Sequence, residues 1–179
     1  MKFQDFKDPD EFLNYAVNHL VEAQDEEFTI IKGHILIEYL LNYFISHSND
    51  EVKWENVRLN FSQKLTLYEI FIKDRKKVDI IRKVNAMRND IAHEMTVNAN
   101  TLKEFQSISK QTSESNPLVK DHPTGKTIMA FSYLLGGLFA SIQLYFDIEE
   151  EKNLLWKKSI DEQEDHKRLN WIQEKAKQL

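Results

Sequence analysis

The chain has no cysteine, and only four of its 179 residues are glycine and three are proline. The absence of cysteine excludes disulfides, thiolate metal sites and thiol nucleophiles, and it is compatible with a reducing cytoplasm. Scarcity of glycine and proline argues against sandwiches, barrels and glycine-rich nucleotide-binding folds, because their tight turns need these residues. Since 41% of the residues are hydrophobic, a chain of this length can bury a core. We therefore predict an all-α fold.

Helix boundaries follow from capping residues and apolar spacing. Asp8 and Pro9 predict the start of a first helix, Asn60 with Gln63 caps a third, and Thr101 begins a capping box. Residues 111–125 are rich in Ser, Thr, Pro and Asp and predict a long loop. The other predicted helices span Glu26 to Ser46, Leu65 to Ile72, Arg75 to Met95, Thr127 to Phe146 and Glu149 to Leu179. Residues 1–146 are thus expected to form a helical bundle, and residues 147–179 a charged helix that packs on it.

The segment from Ile128 to Phe146 carries no charged residue and is long enough to form a transmembrane helix. No basic cluster flanks it, and Ser132, Gly136 and Ala140 form a row of small residues that permits close approach of another helix. We expect a buried core or dimer helix and no membrane partner, with a membrane span as the alternative.

Two other patterns are weak. Gly125-Lys126-Thr127 resembles the end of a phosphate loop, but lysine stands where the first glycine of that motif belongs. His34 and Glu38 are one helical turn apart and could ligate a metal with His93 and Glu94, but the sequence has no His-Glu-x-x-His pattern. A plain helix start explains the first pattern better. Polar residues on a buried helix are more often hydrogen-bonded core groups than ligands, so we expect no metal.

Charge is distributed unevenly along this acidic chain, whose formal net charge is −5. Residues 73–88 carry seven basic and two acidic side chains, which is the kind of patch that attracts RNA. The candidate RNA-binding residues are Arg75, Lys76, Lys77, Arg82 and Lys83.

The segment from Asn85 to Glu94 places Arg88, Asn89 and His93 within two helical turns. They supply a permanent cation, an amide and a group that titrates near neutral pH. Arg88 and His93 are five residues apart, about 140° around the helix axis, and so do not share a face. They can serve one site only at a wide cleft or where a second subunit closes the gap. The alternative is a surface arginine and a histidine that caps the helix.

Arg88-Asn89-Asp90-Ile91-Ala92-His93 resembles the signature of the HEPN superfamily, in which an arginine is followed by a polar residue and, after a short spacer, a histidine. The context is similar too: a long apolar helix around Gly33 to Leu41, then Phe61 to Leu65, then the signature late in the next helix. The resemblance covers roughly residues 28–146. It implies an all-α bundle, usually a two-fold dimer, whose active members are endoribonucleases that need no metal or other cofactor.

The resemblance assigns roles by position. His93 would be the general acid or base, Arg88 would stabilise the phosphorane, and Asn89 would orient His93 or the phosphate. Glu38 and His34 could support the site from the preceding helix. Attack of the ribose 2′-OH would leave a 2′,3′-cyclic phosphate. We expect a cytoplasmic homodimer that acts on RNA as a toxin or defence effector, with an antitoxin or regulatory protein as a further partner. The alternative is a non-catalytic interaction module similar to the mannitol-repressor-like branch.

Overall fold

The fold is all-α, as predicted. The computed structural model describes residues 9–48, 54, 57–109 and 117–176, and no strand occurs within them. In chain order the α-helices are α1 (Pro9–Val21), α2 (Glu26–His47), α3 (Phe61–Ile72), α4 (Arg75–Glu94), α5 (Ala99–Gln106), α6 (Pro117–Lys120) and α7 (Gly125–Ala176). The Asp8 cap predicted for α1 lies outside the described residues.

Short polar side chains fix the ends of helices α2, α3 and α4. Asp25 caps α2 by accepting a 2.7 Å hydrogen bond from the Phe28 amide. Asn60 and Gln63 form the predicted capping box of α3. Asp74 caps α4, which ends at Met95 in the left-handed conformation (φ 56°). Each cap satisfies amide groups that the first turn of a helix leaves without partners.

Helix α2 is the centre of the bundle and packs against α1, α3 and α4. Half of its residues are buried, which agrees with the nearly continuous apolar surface in the sequence. Gly33 lies against the ring of Phe131 in α7, and an added Cβ would come within 2.3 Å of that ring. The missing side chain therefore lets α2 and the first part of α7 approach closely. Phe12 of α1 stacks on Phe139 of α7 at 5.3 Å between centroids.

The chain divides into two compact units, residues 1–142 and 143–179. The predicted break between Phe146 and Glu149 is wrong, because α7 runs unbroken from Gly125 to Ala176. Asp147 and Ile148 are compatible with a helix interior, and no glycine or proline interrupts it there. In the second unit Leu154, Leu155 and Trp156 are exposed. The packing of residues 147–179 on the bundle stays a prediction.

Three further predictions are corrected. Thr101 does not begin α5. Asn98 caps the helix, which starts at Ala99, two residues before Thr101. The segment predicted as one loop contains the short helix α6. The apolar spacing in the sequence predicts that Met95 lies on the same face of α4 as Ile91, but Met95 is 81% exposed because the left-handed residue at the helix end turns the chain away.

The Gly125-Lys126-Thr127 segment is a plain helix start. An added Cβ on Gly125 would come within 2.3 Å of the Val119 carbonyl oxygen, so glycine is required by close backbone approach. Thr127 is fully buried, and its hydroxyl donates a hydrogen bond to Glu26. A hydroxyl held in this way does not face a phosphate.

Among the described residues, two helices are long and apolar enough, by length and composition alone, to cross a membrane: Glu26–His47 and residues 125–159 of α7. About half or more of the apolar window of each is buried inside the protein, which is how core helices of a soluble bundle also behave. The buried part of α7 agrees with its predicted role as a core helix.

Candidate nucleic-acid site on helix α4

Helix α4 has an apolar face in the core and a polar strip on the opposite side. Val78, Ile81, Val84, Met87 and Ile91 are buried. Arg75, Arg82, Asn89 and His93 are all exposed and are seven, seven and four residues apart. These spacings return to nearly the same direction around the axis, so the four side chains form one row about 27 Å long. We call this row the polar strip.

His93 lies in the last turn of α4 and is exposed. The Met95 amide donates to the Ile91 carbonyl at 3.1 Å and closes the helix directly after it. An exposed histidine in this position is suited to donate a proton to a bound ligand.

Arg88 is exposed on a different side of α4, about 140° from His93. Its Nη1 donates to Asn89 Oδ1 at 3.3 Å. The described residues form several ion pairs, and none of them includes Arg88. Its guanidinium thus keeps its charge available to an anion, and Asn89 connects it to the polar strip.

His34 of α2 is only 7% exposed. Its Nε2 is 3.1 Å from Asn85 Oδ1. An amide oxygen can only accept, so Nε2 is the donor. The ring stacks on Phe61 at 4.3 Å between centroids. Burial lowers the pKa of His34, and the positive charges of Arg88 and Lys64 lower it further, against the opposing effects of Asn85 and Glu38. His34 is therefore a neutral, buried group, and Arg88 is close enough to act on it electrostatically.

Glu38 is half-buried and forms a 2.6 Å ion pair with Lys64 of α3. Both are near enough to His34 to affect its pKa. The two residues predicted to support the site, His34 and Glu38, are thus brought to the same side of α4 as Arg88. His93 points away from that side. Among the described residues no group of three or more His, Asp or Glu side chains could hold a metal ion.

The five predicted RNA-binding cations do not form one patch. Arg75 and Arg82 are on the polar strip, whereas Lys76 and Lys83 share a second direction and Lys77 a third. Arg82 pairs with Asp79 and with Glu69 of α3. Lys83 pairs with Glu104 of α5, and Lys77 with Asp74. Carboxylates thus offset three of the five charges, which weakens the electrostatic attraction predicted from the sequence.

Sequence reasoning assigned no role to Asn85, Phe61 or Lys64, which complete the surroundings of His34. Asn85 precedes Arg88 by three residues and so lies on the same side of the helix. That spacing was the one available signal. The partners on α2 and α3 are distant in sequence and could not be identified from it.

Comparison with known proteins gives no match: no family model, no curated protein and no solved structure is similar to this chain. The family resemblance seen in the residues around Arg88 and His93 therefore stays a hypothesis.

Proposed function

We propose that this protein is a metal-independent endoribonuclease of HEPN type that acts as a homodimer. The observation that carries the proposal is the end of α4, where Arg88, Asn89 and His93 are all exposed within two turns. Arg88 lies in no ion pair of the described residues, unlike Lys77, Arg82 and Lys83 on the same helix. A permanent cation and a titratable ring are the groups that phosphodiester cleavage requires, and both lie in the last two turns of this helix.

In the proposed reaction the ribose 2′-OH attacks the adjacent phosphorus. The bond from phosphorus to the 5′-oxygen breaks, which leaves a 2′,3′-cyclic phosphate and a 5′-OH. His93 transfers a proton to or from the reacting oxygens, and Arg88 stabilises the negative charge that develops on the phosphoryl oxygens. Asn89 holds the guanidinium in place through its amide oxygen.

RNA would follow the polar strip. Arg75 and Arg82 precede Asn89 and His93 along α4. A bound backbone would therefore meet Arg75, which is in no ion pair of the described residues, and the paired Arg82 before it reaches His93. Phosphate contacts of this kind make binding sensitive to salt. Arg88 and His93 are separated around the helix, so one subunit presents its two reacting groups in different directions. A second subunit would complete the site by supplying the other reacting group.

The direct test is digestion of single-stranded RNA in excess chelator by the wild type, His93→Ala and Arg88→Ala. We expect each substitution to lower the cleavage rate by about 100-fold or more. Matched controls are His47→Ala, an exposed histidine at the end of α2, and Arg82→Ala, an exposed arginine on the same helix. His47→Ala should leave the rate unchanged, and Arg82→Ala should weaken binding without abolishing cleavage.

Two results would contradict the proposal. One is equal cleavage by the wild type and His93→Ala, which would indicate a contaminating nuclease. The other is that a wild type shown to be dimeric cleaves none of several RNA substrates. End analysis adds an independent criterion, since 3′-hydroxyl products would exclude attack by the 2′-OH.

A second function is a non-catalytic module that binds another protein. It is favoured by the exposed apolar cluster of Leu154, Leu155 and Trp156 in the second unit, since large exposed apolar side chains in one turn often mark partner surfaces. It predicts that the wild type cleaves no RNA and that Trp156→Ser abolishes a stable complex in a pull-down. Such a partner would fit the regulator or antitoxin expected from the sequence.

A further inference from the structure

A groove lies between α1, α4 and the first part of α7, at the opposite end of α4 from Arg88 and His93. Its volume is about 740 Å³, which is within the usual range for small-molecule sites. Lys76 lines it and is twelve residues before Arg88, or about 18 Å along the helix. The groove is therefore a feature separate from the proposed nuclease site.

The walls of the groove are mostly apolar. Leu13, Ile80, Ile108, Met129 and Leu134 contribute aliphatic surface. Gly136 and Gly137 form part of the wall on α7, where added Cβ atoms would come within 3.1 Å of Leu13 and 2.8 Å of Lys77. The two glycines thus allow the side chains of Leu13 and Lys77 to lie flat against α7. The small-residue row predicted on α7 packs against a side chain of α1 and borders this groove.

The charged groups of the groove are Asp74, Lys76 and Lys77. The Lys77 ammonium pairs with the Asp74 carboxylate. Burial raises the pKa of Asp74, but hydrogen bonds and charge from Lys77, with a smaller effect of Lys76, together hold that pKa below its usual value. Lys76 is exposed and belongs to no ion pair of the described residues. One positive charge is left uncompensated beside an apolar surface.

We propose that this groove binds a single-chain amphiphile with one anionic head group, such as an acyl carboxylate. The chain would cover the apolar walls, and the head would pair with Lys76. One uncompensated cation matches one negative charge, and the helix N-terminus behind Lys76 adds favourable potential. Burial of the apolar wall provides most of the affinity, and the cation sets the orientation of the ligand.

Calorimetry of the full chain with three probes tests this inference: laurate, dodecanol and acetate, each below its aggregation concentration. We expect laurate to bind once per chain, dodecanol to bind about three- to tenfold more weakly because it lacks the charge, and acetate not to bind. Lys76→Glu should weaken laurate by about tenfold and leave dodecanol unchanged. Glutamate is tolerated in the first turn of a helix, so this variant is expected to fold.

Arg75→Glu is the matched control, since it makes the same charge change one residue away outside the groove. It should leave laurate affinity within about twofold of the wild type. Ser132→Phe, which adds a ring to the groove, should abolish binding of both laurate and dodecanol while circular dichroism shows the helical fold intact. Equal effects of Lys76→Glu and Arg75→Glu, laurate binding that survives Ser132→Phe, or no laurate binding would each overturn the inference. RNA cleavage plays no part in these outcomes.

Discussion

His34 makes the stability of the bundle depend on pH. Burial lowers its pKa in the folded chain, whereas in the unfolded chain it titrates near about 6.5. As pH falls through that value, the unfolded chain takes up a proton that the folded chain does not. The contribution of His34 to the free energy of unfolding is therefore fully present above about pH 7.5. It is lost as the pH decreases, with a slope of at most about 1.4 kcal/mol per pH unit.

We predict that His34→Gln flattens this dependence between pH 7.5 and 5.5. Glutamine can still donate to Asn85 but does not titrate, and the free energy of unfolding by urea measures the effect. Loss of the stacking on Phe61 lowers the absolute stability, so the slope is the quantity to compare. His47→Gln, at an exposed position, should retain the wild-type slope. Parallel slopes for wild type and His34→Gln would contradict the prediction. Burial raises the pKa of Glu26, so this residue changes the stability with pH in the opposite direction. Its effect is the same in the wild type and in both variants and cancels when their slopes are compared.

Tyr68 is fully buried, and its hydroxyl makes no hydrogen bond of accepted geometry to the described residues. The nearby Ser141 hydroxyl donates to the Gly137 carbonyl instead. An unsatisfied buried hydroxyl is costly, so we predict that Tyr68→Phe raises the free energy of unfolding by about 1 kcal/mol. Chemical denaturation checks this, with exposed Tyr133→Phe as the control. A loss of stability would mean that the hydroxyl is bonded, most simply to Ser141.

At the scale of the helices, Gly33 sets the contact between α2 and α7. In an exposed helix Gly→Ala stabilises by about 1 kcal/mol, but here the new methyl group would meet the Phe131 ring. We predict that Gly33→Ala lowers the free energy of unfolding by about 1–3 kcal/mol, because overpacking outweighs helix propensity. Thermal and urea unfolding provide the measurement.

A double-mutant cycle identifies the cause. Phe131→Leu alone should destabilise by removing ring contacts, but Gly33→Ala in the Phe131→Leu background should cost much less than in the wild type. Additive effects would show that the close contact with the ring is not what excludes a side chain at residue 33.

The sequence was most informative where a boundary depends on a local group. Asn60 with Gln63, and the range of α4, were predicted correctly because caps and breakers act within one helical turn. Thr101 was misassigned because Asn98, an equally good cap, came earlier. The junction near Phe146 was misassigned because charged residues that resemble a loop are also stable on an exposed helix surface.

The candidate site was only partly predictable. Arg88, Asn89 and His93 could be placed on one helix, and their angular separation followed from helix geometry. The contact of His34 with Asn85 joins residues 51 positions apart, and the pairs Arg82–Glu69 and Lys83–Glu104 also link different helices. Such contacts depend on how helices pack, which local spacing does not specify. The ion pairs between helices help to determine which cations of α4 are neutralised by a carboxylate and which are not.

At the scale of the whole molecule, the proposed nuclease faces a geometric difficulty. Arg88 lies on the side of α4 near His34, and His93 lies on the polar strip. The two groups diverge by about 140° on a straight helix, so one chain does not direct both toward one phosphate. A two-fold dimer resolves this if each site takes Arg88 from one subunit and His93 from the other, because a two-fold axis brings the same surface of both chains together.

This arrangement predicts complementation between inactive variants. Arg88→Ala and His93→Ala should each be inactive alone, but equal mixing after unfolding and refolding forms mixed dimers in about half of the population. Each mixed dimer contains one site with both Arg88 and His93 intact, so about a quarter of wild-type RNA cleavage should return. Mixing His93→Ala with itself under the same conditions controls for refolding, and cross-linking of tagged chains measures the mixed fraction. Abundant mixed dimers without cleavage would mean that both groups must come from the same chain, and the shared-site arrangement would be wrong.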